Sequence, residues 1–213
     1  MNPVAVAVVW ALVGAAAGWG MRLGSVRLAR LEGLEPGSKW WQVYGPPVLS
    51  AVLLGLFGYS LAGALLLLAV RSVFALVLVQ VIFFDFEHHL ILDRVMFPAM
   101  ALALIVSFFS HPWWVGLATG FGAGLLFLLL AIGGSALLKQ EALGFGDVKL
   151  AAFMGLLLGV PLIFSALFYG VLFAGIGAIV FVVWHRSLKG NIAYGPYLAA
   201  GALLALYFLP QLT

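Results

Sequence analysis

The chain has no cysteine. Disulfides, thiol catalysis and cysteine-ligated zinc are excluded at once. Charge is nearly as scarce, with 8% of the 213 residues charged and seven acids among them. A soluble domain carries about a quarter charged residues, so a water-facing globule is excluded. The net charge is +3 and the isoelectric point is near 9.4. No dense basic cluster accompanies that balance, which excludes a nucleic-acid partner. There is no clear internal repeat and no low-complexity tail.

What is abundant is apolar sequence. Hydrophobic residues make up 65% of the chain and the mean hydropathy is +1.21. A bilayer-spanning helix needs about 20 apolar residues, and runs approaching that length recur throughout. The fold class expected is an all-α polytopic integral membrane protein embedded in the lipid bilayer. Apolar segments at 3–21, 46–59, 61–84, 95–110, 115–138, 148–160, 162–184 and 194–210 predict about eight transmembrane helices in a single membrane domain, 1–213. Residues 1–60 are expected to form N-terminal helices joined by a short cytoplasmic loop. The second and sixth segments are short for a full crossing, and Gly58 and Pro161 read as turns after them. The first segment lacks the basic flank of a signal peptide, so it reads as a retained helix.

The charges set an orientation. Arg22, Arg27, Arg30 and Lys39 are placed in the first loop, Arg94 near "DFEHHLILDR", Lys139 and Lys149 around the "GFGD" turn, and Arg186 and Lys189 in "HRSLKGN". With both termini outside, these nine of the ten basic residues face the cytoplasm, as the positive-inside rule requires. Arg71 alone is left about mid-span, where a structural partner is expected. All seven acids, Glu32, Glu35, Asp85, Glu87, Asp93, Glu141 and Asp147, fall on the same cytoplasmic side. His111, Trp113 and Trp114 read as an interfacial aromatic belt on the other side.

Two acids suggest chemistry. Asp85 ends the third apolar segment and Asp147 precedes the sixth, which places both at one depth. Two carboxylates a few ångströms apart share a proton and titrate as a unit. One can then deprotonate water while the other protonates a substrate oxygen. Gly144 and Gly146 would permit backbone angles closed to other residues and leave room for a substrate backbone. The plainer alternatives are that Asp147 N-caps a helix and that Asp85 is a boundary charge. Glu87, His88, His89 and Asp93 offer four potential metal ligands, but their spacing fits no zinc motif. They read as a wet loop, and no metal site is assigned.

Taken in order, three blocks resemble the type IV prepilin peptidases, membrane aspartic proteases with a G-x-G-D motif. They are "FDFEHHLILD" with Asp85 and Asp93, "GFGDVKLAAFMGLLLG" with Asp147, and "AYGPYLAAG" with Gly195 and Pro196. The family usually has proline just before the second aspartate of the first block, where this chain has Leu92. The resemblance covers roughly residues 65–210. It implies an aspartic protease core over 61–213, with Asp85 and Asp147 as the catalytic pair. Asp93, Gly144, Gly146, Lys149, Gly195 and Pro196 are then supporting or substrate-binding residues. The implied substrate is a prepilin or pseudopilin precursor, cut at the cytoplasmic face of the inner (plasma) membrane, with no cofactor for the proteolysis. Many members also N-methylate the product with S-adenosylmethionine, an activity associated with the N-terminal part. "PPVLSAVLLGLFG" is similar to the family there and "GMRLGSVRLARL" only faintly so. The cysteine pairs that most bacterial members carry in the first loop are missing, and methyl transfer is therefore expected to be weak or absent. A small proton- or ion-coupled transporter and a non-catalytic membrane assembly factor are the competing classes. Neither the precursor's identity nor the oligomeric state can be read from the residues.

Overall fold

The computed structural model describes residues 2–109, 112–138, 143–185 and 193–208. His111, Lys139, Glu141, Arg186 and Lys189 lie outside the described residues. The fold is all-α, with eight helices and no strand among the described residues. Five of the helices are long and apolar enough to cross a membrane, as expected of a polytopic membrane protein. The chain divides into two compact units, Met1–His89 and Leu90–Thr213.

The first unit contains α1 (Pro3–Leu31), α2 (Trp40–Ser60) and α3 (Leu65–His88). Asn2 caps α1, accepting the Val4 N–H at 3.0 Å, and Pro3 follows at the position where its missing donor costs nothing. The helix does not stop at residue 21. It continues to Leu31, so Arg22, Arg27 and Arg30 stand on α1 and not in a loop. Arginine, leucine and alanine propagate a helix well, and an apolar window cannot see that continuation. A Schellman turn ends it. Gly33 has φ +72°, its N–H donates to the Arg30 carbonyl, and the Leu34 N–H donates to Ala29 at 2.8 Å.

Helix α2 likewise begins before its apolar run. Gln42 Oε1 accepts the Lys39 N–H at 2.9 Å and closes the first turn. Pro46 and Pro47 lie inside the helix. With 21 residues, α2 is a full-length span and not a short one. Gly58 is also helical, not in a turn. A Cβ there would lie 2.9 Å from Trp10 Cβ, so glycine lets α1 and α2 close on each other. Among the polar bonds that tie α3 to α1, Trp10 Nε1 donates to Ser72 Oγ at 2.8 Å, and Gln80 Nε2 to Ser25 Oγ at 2.9 Å. Arg71 is buried in the second turn of α3.

The second unit contains α4 (Asp93–Phe109), α5 (Trp114–Leu138), α6 (Phe145–Leu158), α7 (Leu162–His185) and α8 (Gly195–Phe208). Helix α6 is central and packs on the other four. Leu150, Ala151, Phe153 and Met154 are wholly buried there. Antiparallel pairing with α5 is close. A Cβ on Gly116 would meet the Leu156 carbonyl at 3.0 Å, and one on Gly120 the Ala152 carbonyl at 3.1 Å. One on Gly124 would lie 3.0 Å from Ala152 Cβ. At the other end of the pair Gly159 lies beside Val115, and Thr119 Oγ1 donates to the Gly155 carbonyl at 3.0 Å. Pro161 lies in the tight turn to α7, as expected, after a cis peptide bond. Trp113 stacks on Phe108, and Trp113 and Trp114 are exposed. Phe164, Phe168, Ile179 and Val183 on α7 also point outward, as lipid-facing side chains do.

Candidate active site

Asp85 stands in the last turn of α3. The repeated apolar positions Leu78, Val79, Ile82 and Phe84 bury this end of the helix, and Asp85 with it, at 6% exposure. The helix stops one turn later. The His89 N–H donates to the Asp85 carbonyl at 2.8 Å, and His89 itself takes the left-handed conformation, φ 51°. The Asp85 side chain therefore sits beside the partial negative charge of a helix C-terminus.

Asp147 has the opposite setting. Gly144 is the N-cap of α6, and Asp147 lies inside the first turn, its N–H donating to the Gly144 carbonyl at 3.1 Å. The capping role considered from sequence thus falls to Gly144. Asp147 is 8% exposed, and the partial positive charge of the helix N-terminus stabilises a carboxylate there. The two glycines work differently from the sequence expectation. Gly144 has φ −72°, Gly146 is helical, and neither needs an angle closed to other residues. Their value is space. A Cβ on Gly146 would lie 3.0 Å from Ile91 Cβ, so glycine lets the 90–92 segment pack against α6. The Gly144 Cβ position is 3.7 Å from Asp147 Oδ2. A side chain there would stand against the carboxylate.

Asp93 and Lys149 are brought together. Asp93 opens α4, and Lys149 lies on α6 two residues after Asp147. Lys149 Nζ is 2.5 Å from Asp93 Oδ1 and 5.4 Å from the Phe97 ring centre. Phe97 is absent from the sequence reading, and its place one turn along α4 from Asp93 was the signal for it. Gly195 and Pro196 are buried in the first turn of α8, which packs on α6. Proline suits that first turn because its N–H would be unpaired anyway.

The expected wet loop at 87–89 is not one. Helix α3 runs through His88, and the Glu87 side chain is 5% exposed. Glu87 Oε2 accepts from Arg22 Nη1 at 3.0 Å, and Oε1 accepts the Gly37 N–H. Arg22 Nη2 donates to the Gly37 carbonyl. His88 Nε2 is 3.3 Å from Glu87 Oε1, and the His88 ring packs on Phe84. Glu87 and Asp93, two of the four potential metal ligands, are thus each engaged by a basic side chain. Among the described residues no group of three or more His, Asp or Glu gathers in a metal-holding arrangement.

Residues 72–179, which include Asp85, Asp93, Asp147 and Lys149, match the type IV leader peptidase family. Over 137 residues the chain is 32% identical to a prepilin leader peptidase/N-methyltransferase of Bacillus subtilis (strain 168), covering 62% of this chain and 53% of that protein. Over 168 residues it is 32% identical to a prepilin leader peptidase/N-methyltransferase of Pseudomonas putida, covering 76% of this chain and 55% of that one. The chain spans about half the length of these curated relatives. No solved structure matches it.

Proposed function

The chain belongs to the type IV leader peptidase family, and from that premise we propose that it is an aspartic endopeptidase that removes the leader of type IV prepilin or pseudopilin-like precursors. One observation carries the proposal. The family match encloses two buried aspartates, one in the last turn of a span and one in the first turn of α6. An acid buried at the end of a membrane span is costly and marks a functional site by default, and hydrolysis by paired carboxylates uses two.

In this reading Asp85 and Asp147 act as one acid–base pair. Helix-end electrostatics divide the roles, because the N-terminus of α6 favours charge on Asp147 and the C-terminus of α3 does not favour it on Asp85. Asp147 is the base and takes a proton from water. The water oxygen bonds to the scissile carbonyl carbon as Asp85 gives a proton to the carbonyl oxygen. The tetrahedral adduct then breaks its C–N bond: the amine nitrogen leaves with the proton held by Asp147, and Asp85 takes back a hydroxyl proton as the carboxylic acid forms. No metal or cofactor enters these steps.

Supporting roles follow from position. Gly144 keeps the approach to Asp147 clear of side chains. The Asp93–Lys149 pair holds the start of α4 to α6. Gly195 and Pro196 set the first turn of α8 against α6. The chain would work in the inner (plasma) membrane with both termini outside, so that the cut is made at the cytoplasmic face. A basic leader is retained there by the rule that orients the protein itself. Methyl transfer from S-adenosylmethionine is proposed to be weak or absent, and no step is assigned to it.

The test is proteolysis of a purified pilin-like precursor by the reconstituted chain. A leader released by wild type and lost on changing either aspartate supports the reading. A chain that binds the precursor without cutting it would be an assembly factor. One that moves protons without cutting would be a transporter.

A further inference from the structure

The first unit holds a polar ring that the reaction above does not use. Arg22 on α1, Glu87 on α3 and Gly37 in the 32–39 connection bond to one another in all three pairings. Arg22 Nη1 donates to Glu87, Arg22 Nη2 donates to the Gly37 carbonyl, and the Gly37 N–H donates to Glu87. Both charged side chains are buried, Arg22 at 8% and Glu87 at 5% exposure. Gly37 is enclosed on its other side by Gln42, whose amide atoms lie within 2.5 Å of where a Cβ would be. A buried ion pair is costly to break, because removing one partner leaves an uncompensated charge.

The ring also completes a line of polar contacts. Ser72, Gln80 and Glu87 of α3 meet Trp10, Ser25 and Arg22 of α1. At about 100° per residue, Gln80 and Glu87 lie roughly 20° apart around α3. On the same count Asp85 lies about 160° from Glu87 and about 140° from Gln80. Asp85 therefore projects from the face of α3 turned away from α1. The bonds to α1 fix the rotation of α3 about its axis, and the ring fixes it within two residues of Asp85, where the helix is about to end.

We propose that Arg22 and Glu87 are positioning residues for Asp85, acting through the Gly37 ring to hold the last turn of α3 in its rotational setting. The proposal rests on the peptidase reading for its effect on rate, but not for its effect on the position of residue 85. Misplacing a catalytic group by about 1 Å can cost about a hundredfold in rate, so a loosened last turn is expected to act on kcat and not on KM.

The experiment uses the full chain in bilayer discs and two readouts, with folded protein matched by thermal melts. The first is cleavage by wild type, Glu87→Gln and Arg22→Lys. Glu87→Gln is expected to lower kcat by about a hundredfold with KM within about twofold. Arg22→Lys keeps the charge but not the two-armed donor geometry, and an intermediate loss is expected. The second needs no cleavage. Asp85→Cys is labelled with a water-soluble thiol reagent, alone and combined with each ring variant, and the ring variants are expected to change the labelling rate about tenfold. If wild type cuts nothing but the labelling shifts, the peptidase reading fails and the positioning inference stands. If labelling is unchanged in Glu87→Gln, the inference is overturned whatever happens to kcat. Unchanged kcat in an active enzyme overturns it equally. Should Glu87→Gln fail to fold, Arg22→Lys carries both readouts with the same two outcomes.

Discussion

Lys149 Nζ lies 2.5 Å from Asp93 Oδ1, joining the first turn of α4 to the first turns of α6. Asp93 is 54% exposed at its side chain and Lys149 24%, so water screens the pair. Such a pair contributes about 1 kcal/mol of stability or less, yet it stands two residues from Asp147. Asp93→Asn and Lys149→Met are each expected to leave the thermal midpoint nearly unchanged and to lower kcat/KM by roughly tenfold, as small displacements of catalytic groups do. The double variant should be no worse than either single one, because both remove the same bond. Additive losses would separate the two residues into independent roles.

The aspartates themselves should behave differently. Asparagine preserves size but cannot exchange a catalytic proton. Asp85→Asn and Asp147→Asn are each expected to lower kcat by about a thousandfold or more, with the double variant no worse than either. A folded single variant that cleaves at near wild-type rate would remove that residue from the pair. The pH–rate profile should be bell-shaped and report the macroscopic constants of the pair.

Chelation should leave cleavage unaffected, since in the proposed reading the carboxylates activate the water. Activity lost with chelator and restored by a divalent ion would move attention to Glu87, His88, His89 and Asp93. With S-adenosylmethionine present, the mass of the cleaved product should stay that of the unmethylated protein. A full methyl increment on every product molecule would show that the missing cysteines carry no information about this activity.

Orientation can be read with introduced thiols, as the chain has no cysteine of its own. Ser38 lies in the connection after α1 and Ser60 at the end of α2, both exposed. With the N-terminus outside, Ser60→Cys in intact cells should react with an impermeant reagent and Ser38→Cys should not. The reverse pattern would invert the map and move the proposed cut to the outer face.

The sequence made the helices legible because each is a run of apolar residues, and it marked "GFGD" because an acid beside such a run is costly. It misplaced the ends. Arg22, Arg27 and Arg30 looked like loop residues since hydropathy falls at residue 21, but helix α1 runs on through Gly24 and the arginines, leucines and alanine after it and stops only before Gly33. The stop was written in "LEGLEPG", where Gly33 supplies the left-handed turn and Pro36 follows it. Asp147 looked like a cap because aspartate caps helices well, while Gly144 takes that place here. The ring of Arg22, Glu87 and Gly37 was not legible at all. Its members are far apart in the chain, and each has an ordinary reading alone: a topogenic cation, a loop acid, a flexible glycine.

The pairing of α5 with α6 has a consequence for the depth at which Asp147 lies. The two helices are level at Val115 and Gly159, and Gly124 lies opposite Ala152 and Val148. Beyond that point α6 has only its opening residues left, whereas α5 continues to Leu138. On this register Asp147 is level with about residue 127 of α5, and the roughly 11 residues from there to Leu138 rise about 16 Å. Helix α5 therefore runs well past Asp147, and this buried carboxylate is level with the middle of its neighbouring helix. The helix end that carries Asp147 is thus set back along α5 and not level with the end of its partner.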